Sequence, residues 1–360
     1  MPRVYNFSPG PAALPLKVLE RVREDIPDWN SSGMSIMEVS HRSKTFMDLA
    51  EKAEQDVRDL LSIPNNYSVL FLQGGATLQF AMTPLNLSQS GDVVDYVQTG
   101  SWSKKAISEA AKFCTVNIVA DSSDSNFCHI PLQTEWRKTT NAAYFHYTAN
   151  ETIAGVEFHF IPETGEIPLV ADMSSTIFSR PIDVNRFGVI YAGAQKNIGP
   201  AGVTLVIVRN DLLDRKRADT PTLLTYKVFA DSGSMANTPP IFAWYVTALV
   251  LEELKAQGGV VAMAKINESK AMKLYRAIDD SNLYNNPVQP DYRSWMNVPF
   301  FLRDANLNTK FLSESESAGL VNLKGHRLVG GMRASIYNAM PEEGIDALIY
   351  FMQKFEKVNG

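Results

Sequence analysis

The chain has 360 residues, of which 45% are hydrophobic and 20% are charged, enough apolar material for a large core and a second, smaller domain. Its 34 basic and 39 acidic residues are interspersed and give a net charge of -5, which argues against non-specific binding to nucleic acid. The first residues contain no apolar run typical of a signal peptide or a membrane span, so we expect a cytoplasmic protein that binds no membrane. The two cysteines, Cys114 and Cys128, are too few for a disulfide framework and lack metal-ligand spacing, so we expect no metal site.

The first two thirds of the chain alternate between strand and helix patterns. Apolar residues at helical spacing predict a helix over 47–63, which ends at Pro64. Short apolar runs bounded by turns predict strands at 68–72, 92–98, 116–120, 142–147, 169–172, 188–192 and 203–208. Helices are predicted between the first of these strands, over 77–85 and 101–113. This order predicts the α/β class, with a mostly parallel sheet flanked by helices.

The last third of the chain changes character. Helical spacing predicts one helix over 241–257 and a second over 260–279, with Gly258 and Gly259 as a break between them. A strand over 294–302, a helix over 309–318, short strands at 320–323 and 333–337, and a final amphipathic helix over 342–358 follow. That order is typical of an α+β module. We therefore predict a large domain over 16–258 and a small domain made of 1–15 and 259–360.

One lysine stands out because it lies between an apolar strand and a glycine-rich turn. An amine must lose its proton before it attacks an aldehyde, and burial of Lys196 beside dipoles or other cations would lower its pKa enough to allow that. Asp172 ends the preceding predicted strand, so both side chains are expected at one sheet edge, where open α/β sheets bind ligands. This pair suits pyridoxal phosphate, because the acid keeps the pyridine nitrogen protonated while the lysine holds the aldehyde and moves a proton. Asp172 alone is equally compatible with a helix cap.

Further residues suit an anionic cofactor and an anionic substrate. The turn from Gly74 to Thr77 joins a strand to a helix, where backbone N–H groups can hold a phosphate, although two glycines are also ordinary turn residues. Trp102 follows the next strand and is suited to stacking on a flat heterocycle or to plain packing. Guanidinium groups bind carboxylates and phosphates as planar forks, and the arginines near chain-bending segments are Arg42, Arg327 and Arg333. Together they indicate a doubly anionic substrate.

Motifs spread over the whole chain resemble those of the phosphoserine aminotransferases. They lie at 7–12, 41–44, 73–76, 195–202, 237–240 and 325–339. The resemblance implies a class V aminotransferase of fold type I, with a large domain built on a seven-stranded type of sheet. Its implied reaction uses pyridoxal phosphate to transfer the amino group of L-glutamate to 3-phosphohydroxypyruvate, which gives O-phospho-L-serine and 2-oxoglutarate in serine biosynthesis.

The resemblance also implies roles for individual residues. Lys196 binds the cofactor aldehyde and Asp172 pairs with the pyridine nitrogen. The other implied cofactor contacts are Trp102 on the ring, Thr152 on the phenolic oxygen, and Ala76, Thr77 and Gln195 on the phosphate. Asn237 and Thr238 are implied to reach the cofactor phosphate of the partner subunit, so that a homodimer shares its active sites. The implied substrate contacts are Arg333 for the carboxylate, and His41, Arg42, His326 and Arg327 for the substrate phosphate or the glutamate side chain.

The sequence leaves three questions open. Some members of the family carry an arginine where this chain has Thr77, so binding of the substrate phosphate here leans more on the other basic residues. Some also act on the phosphorylated hydroxythreonine keto acid of vitamin B6 synthesis, and the sequence does not decide that activity. The alternatives are another class V enzyme, either an alanine-type aminotransferase or a cysteine desulfurase with Cys128 as its loop cysteine, and a non-catalytic protein that binds a phosphate ligand.

Overall fold

The computed structural model describes residues 3–360. The helices are α1 (Leu16–Asp25), α2 (Lys44–Leu61), α3 (Gly75–Leu87), α4 (Ser101–Ala110), α5 (Tyr226–Asp231), α6 (Ile241–Ala256), α7 (Gly259–Asp279), α8 (Asn308–Ser317) and α9 (Glu342–Asn359). The strands are β1 (Tyr5–Asn6), β2 (Tyr67–Leu72), β3 (Val93–Gln98), β4 (Thr115–Asp121), β5 (Phe145–Thr148), β6 (Asn150–Glu151), β7 (Val156–Glu157), β8 (Leu169–Asp172), β9 (Val189–Gly193), β10 (Thr204–Arg209), β11 (Tyr284–Asn285), β12 (Asn297–Leu302), β13 (Leu320–Val321) and β14 (Met332–Ser335). None of the helices in this part of the chain is both long and apolar enough to cross a membrane.

A seven-stranded sheet in the order β2-β10-β9-β8-β5-β3-β4 forms the centre of the molecule. Strand β10 runs antiparallel to both of its neighbours, and the pairs from β9 to β4 are parallel. The prediction of a mostly parallel sheet flanked by helices is therefore confirmed. In this arrangement the carboxyl ends of β8 and β9 lie side by side at one edge of the sheet.

The sheet is covered on both faces because successive side chains of a strand point in opposite directions. In β2, Val69 and Phe71 belong to the core that packs against α1, α2 and α6, whereas Leu70 and Leu72 belong to the core that packs against α3, α4 and α5. Strands buried on both faces read as continuous apolar runs, which is why short apolar segments located them in the sequence.

A third core lies in the C-terminal part of the chain and includes one residue from its beginning, Phe7. Phe7 packs there with residues of α7, β12, β14 and α9, and β1 pairs in parallel with β13. Helix α7 contributes to two cores, since Val260 and Met263 pack on the core of the large sheet while its second half packs on the core with Phe7. The division into 16–258 and 1–15 with 259–360 stays a prediction; α7 begins at its boundary, at Gly259, and packs on both cores.

Several elements begin at residues other than those predicted, and two elements were not predicted at all. Helix α2 begins at Lys44 rather than at 47, because the Ser43 side chain accepts the backbone N–H of Phe46 and caps the helix. Strand β5 begins at Phe145 and strand β12 at Asn297, later than the apolar runs that predicted them. Helix α1 and the short strand β1 were not predicted, because neither has a long apolar pattern.

Candidate active site

Two neighbouring strands bring a carboxylate and an amine to the same edge of the sheet. Strand β8 ends at Asp172, which pairs in register with Tyr191 of β9. Lys196 lies three residues beyond the last residue of β9, in the turn that leads to β10. The charge of each side chain affects the pKa of the other, as expected for groups that face one another.

Lys196 is largely buried, and burial is the main cause that lowers its pKa to about 8. The negative charges of Asp172 and Glu151 oppose this effect, while the positive charge of Arg333 adds to it. The Lys196 amine donates a hydrogen bond of 2.6 Å to Thr152 Oγ1. An amine with a lowered pKa, held by one fixed acceptor, is prepared to act as a nucleophile and as a base.

Asp172 is buried and held from one side only. Its Oδ1 accepts hydrogen bonds from the backbone N–H of Ser174 at 2.9 Å and from the Ser174 hydroxyl at 2.7 Å. Burial raises the pKa of Asp172, and the charge of Lys196 and the bonds from Ser174 counteract it. All of the hydrogen bonds that the described residues give the Asp172 carboxylate fall on Oδ1, so Oδ2 is available to a further donor, such as a protonated ring nitrogen.

The beginning of α3 offers backbone donors to an anion. Gly74 and Gly75 have φ values of 96° and 67°, and a Cβ atom on Gly74 would lie 2.4 Å from the Leu78 side chain. Among the described residues, no side chain caps this helix, so the first-turn N–H groups near Ala76 and Thr77 have no side-chain acceptor. The positive end of a helix of this length favours a bound phosphate.

An indole and an arginine lie around the amine. The Lys196 Nζ lies 5.4 Å from the ring centroid of Trp102, which is the second residue of α4. Arg333 in β14 is buried and donates to the carbonyl oxygen of Thr152 at 3.1 Å. Two buried donor atoms, Trp102 Nε1 and Arg333 Nε, have no hydrogen-bond partner among the described residues. Unpaired buried donors are uncommon in native proteins and indicate a place for a polar ligand.

Positive charges collect next to Arg333. Burial lowers the pKa of the half-buried His326, and the charges of Arg333, Arg327 and Lys105 lower it further, so each of these three cations is close enough to act on His326. Such a cluster repels additional protons and attracts a substrate that carries several negative charges. Lys105 was not named from the sequence, where it reads as one of two adjacent surface lysines.

The remaining predicted site residues have other hydrogen-bond partners or none. Gln195, beside Lys196, accepts the backbone N–H of Ala12 with its carbonyl oxygen, at 2.8 Å. Asn237 and Thr238 are exposed, and the Thr238 carbonyl accepts a hydrogen bond of 3.0 Å from the Gln73 side chain. His41 and Arg42 precede α2, and their side chains have no hydrogen bond or ion pair with any residue between 3 and 360.

Two further residues were missed by the sequence analysis. Ser174 orients Asp172, and its hydroxyl also accepts the N–H of Gly193 at 3.1 Å, which ties β8 to the turn that carries Lys196. A serine two positions after an aspartate is a local turn signal that the sequence contains. Glu151 is fully buried beside the site, and no local pattern marks it.

The arrangement fits pyridoxal phosphate in several independent ways. A lysine of lowered pKa can bind its aldehyde, the free oxygen of Asp172 can accept from its ring nitrogen, and the uncapped start of α3 can hold its phosphate. A flat cofactor would also lie within reach of the Trp102 indole.

Comparison with known proteins agrees with this geometry. The family model of class-V aminotransferases matches residues 4–348. The phosphoserine aminotransferase of Pseudomonas aeruginosa strain LESB58 is 57% identical over 99% of this chain and 99% of its own length.

Solved structures agree as well. The phosphoserine aminotransferase of Bacillus circulans subsp. alkalophilus superposes with a TM-score of 0.97 at 47% identity, covering 99% of both chains. The pyridoxal-phosphate-bound enzyme of Trichomonas vaginalis superposes with a TM-score of 0.94 at 42% identity, covering 98% of this chain and 100% of the other. The chain therefore belongs to the class-V aminotransferases and, within them, to the phosphoserine aminotransferases.

Proposed function

We propose that this chain transfers the amino group of L-glutamate to 3-phosphohydroxypyruvate and so forms O-phospho-L-serine and 2-oxoglutarate, a step of serine biosynthesis. As a member of its family it is an aminotransferase that uses pyridoxal phosphate. The observation that carries the choice of substrate is the cluster of Arg333, Arg327 and Lys105 around His326, in which the charge of Arg333 also acts on Lys196. A phosphorylated keto acid has a carboxylate at one end and a phosphate at the other, so it can use several cations at once.

The cofactor supplies an aldehyde that binds amines and a ring that accepts electrons. Lys196 would hold that aldehyde, Asp172 would keep the ring nitrogen protonated, and Thr152 would contact the phenolic oxygen. Ala76, Thr77 and Gln195 would hold the phosphate, and Trp102 would cover the ring. With its pKa lowered to about 8, the free Lys196 Nζ would take and return a proton near neutral pH.

Substrate selection belongs to the basic residues. Arg333 would bind the α-carboxylate, since its Nε is buried and has no partner among the described residues. His326 and Arg327, together with His41 and Arg42, would bind the substrate phosphate or the glutamate side chain. The exposure of Asn237 and Thr238 is consistent with a homodimer in which they contact the partner's cofactor. The dimer, a cytoplasmic location and activity on the vitamin B6 keto acid stay predictions from the sequence.

The test is the visible absorbance of the purified enzyme after mixing with O-phosphoserine, serine or alanine in separate experiments. We expect rapid loss of the cofactor's absorbance band with O-phosphoserine and slow change with the other two amino acids. An equally rapid change with alanine would refute the choice of substrate while leaving the class of enzyme intact.

A pair of variants sharpens this test. Arg327→Ala removes one charge of the cluster and should raise the KM for O-phosphoserine by about tenfold or more, with a smaller effect on glutamate, because each lost charge-assisted bond weakens binding of the charged partner. Arg303→Ala, which changes an exposed arginine elsewhere in the C-terminal part, should leave both values unchanged. Equal losses for both amino acids in Arg327→Ala would contradict the phosphate role.

A further inference from the structure

Helix α4, which carries Trp102, has no side chain at its N-cap position. Its N-cap residue is Gly100, and the helix still has backbone donors that need acceptors. Glu151 supplies them from another part of the chain: its Oε2 accepts the N–H of Trp102 at 2.9 Å and its Oε1 accepts the N–H of Ser103 at 2.8 Å. Both oxygens of one fully buried carboxylate are thus used on two consecutive amides.

The helix start is shaped to receive this carboxylate. A Cβ atom on Gly100 would lie 2.4 Å from the carboxyl carbon of Glu151, so only glycine leaves room for it. The amides of Thr99 and Gly100, which precede the first residue of the helix, donate instead to the Ser103 hydroxyl, each at 3.0 Å. The donors at this helix end are therefore divided between a local acceptor, Ser103, and a distant one, Glu151.

The same contacts act on the protonation of Glu151. Burial and the negative charge of Asp172 raise the pKa of this carboxyl, and the hydrogen bonds from Ser103 and Trp102 offset part of the rise. Since each oxygen accepts from an N–H group, the ionised form suits the site, and the positive end of the helix stabilises it. Burying a carboxylate without a lysine or arginine bonded to it costs free energy of folding. We therefore look for a role of Glu151 beyond packing.

We propose that Glu151 is a positioning residue of the active site, which fixes the backbone of Trp102 and the turn between β6 and β7 in one unit, so that the indole and Thr152 both stay beside the Lys196 amine. Thr152 directly follows Glu151 in the chain and accepts from Lys196 Nζ at 2.6 Å, while the Trp102 ring centroid lies 5.4 Å from the same nitrogen. The inference rests on the proposed function only in that Trp102 and Thr152 are taken to contact the cofactor.

The first test is Glu151→Gln, which keeps the size of the side chain but turns one acceptor into an N–H₂ group facing a backbone donor. Hydrogen exchange of the peptide that begins α4, measured on cofactor-free protein, should become about tenfold faster or more, as expected for the loss of a charge-assisted bond. The dissociation constant for pyridoxal phosphate, from absorbance titration, should rise by a similar factor.

Ser103→Ala is the matched control, because it removes the local acceptor of the same helix end and leaves Glu151 on its two amides. It should lower the melting temperature but leave the cofactor dissociation constant within about twofold. Equal weakening of cofactor binding in both variants would overturn the proposal and reduce Glu151 to a helix cap that serves stability. Wild-type exchange and wild-type cofactor binding in Glu151→Gln would overturn it as well.

Gly100→Ala provides an independent check that keeps the carboxylate and takes away its space. It should reproduce the faster exchange and the weaker cofactor binding of Glu151→Gln, and it keeps the proposal testable where Glu151→Gln fails to fold. Cofactor binding as tight as in the wild type would contradict the proposal. None of these measurements uses a phosphorylated amino acid, so a failure of the proposed substrate would leave their outcome interpretable.

Discussion

Replacing Lys196 by methionine should change how the stability of the cofactor-free protein depends on pH. Burial lowers the pKa of Lys196 from 10.5 to about 8, which corresponds to about 3 kcal/mol between its two protonation states. The unfolded chain then holds a proton between pH 8 and 10.5 that the folded chain has released, so the free energy of unfolding rises with pH across that window. Lys196→Met lacks this contribution. The difference in free energy of unfolding, wild type minus variant, should therefore rise by about 3 kcal/mol between pH 8 and 10.5.

The assay is urea unfolding of cofactor-free protein at several pH values from 6.5 to about 11, read as the difference between the two proteins. A difference is needed because other buried groups titrate in both proteins, Lys270 among them, whose pKa burial lowers to about 7. Lys265→Met, at an exposed position of α7, should run parallel to wild type at every pH. Parallel curves for Lys196→Met and wild type would refute the reasoning, since they would mean that Lys196 keeps an ordinary pKa.

Three further variants test other parts of the structure. Lys270→Met should lower the free energy of unfolding by about 2–4 kcal/mol, because the buried Nζ donates to three backbone carbonyls that follow β14; unchanged urea unfolding would contradict this. Gly155→Ala should cost about 1–3 kcal/mol, since its φ is 73° and a Cβ atom would lie 2.4 Å from Pro299; the check is thermal unfolding, and a wild-type melting temperature would refute it. Lys105→Met should raise the pKa of His326, whose pKa the lysine charge helps to lower; NMR titration of the histidine ring measures it, and an unmoved titration would show that the two groups lie too far apart to interact.

The position of the amine and the carboxylate could be derived from the sequence. Two apolar segments end at Asp172 and shortly before Lys196, and parallel strands present such ends at the same edge of the sheet. The roles of Thr152 and Gln195 came only from the likeness to a family, because a single threonine or glutamine has no pattern of its own. The apolar runs located the strands because these strands are buried on both faces of the sheet.

Other features depend on contacts that no local pattern contains. Glu151 reads as an ordinary acidic residue, and its acceptors for Trp102 and Ser103 arise only when β6 and the start of α4 meet, almost fifty residues apart. The pairing of β1 with β13 joins two strands of two residues each, too short to show an alternation. The side chains of His41 and Arg42 have no hydrogen bond or ion pair with the described residues, so their contact with the substrate stays a prediction from the resemblance.

The pairing of Tyr5 with Leu320 has a consequence for the order in which the protein can be made. The strand that Phe7 follows leaves the ribosome among the first residues, but its partners are synthesised roughly 300 residues later, after tens of seconds at ordinary translation rates. The central sheet, complete by Arg209, can form meanwhile. The N-terminal segment therefore has no core to pack into during most of synthesis. Until the C-terminal part is made, Phe7 is exposed to chaperones and to non-native contacts.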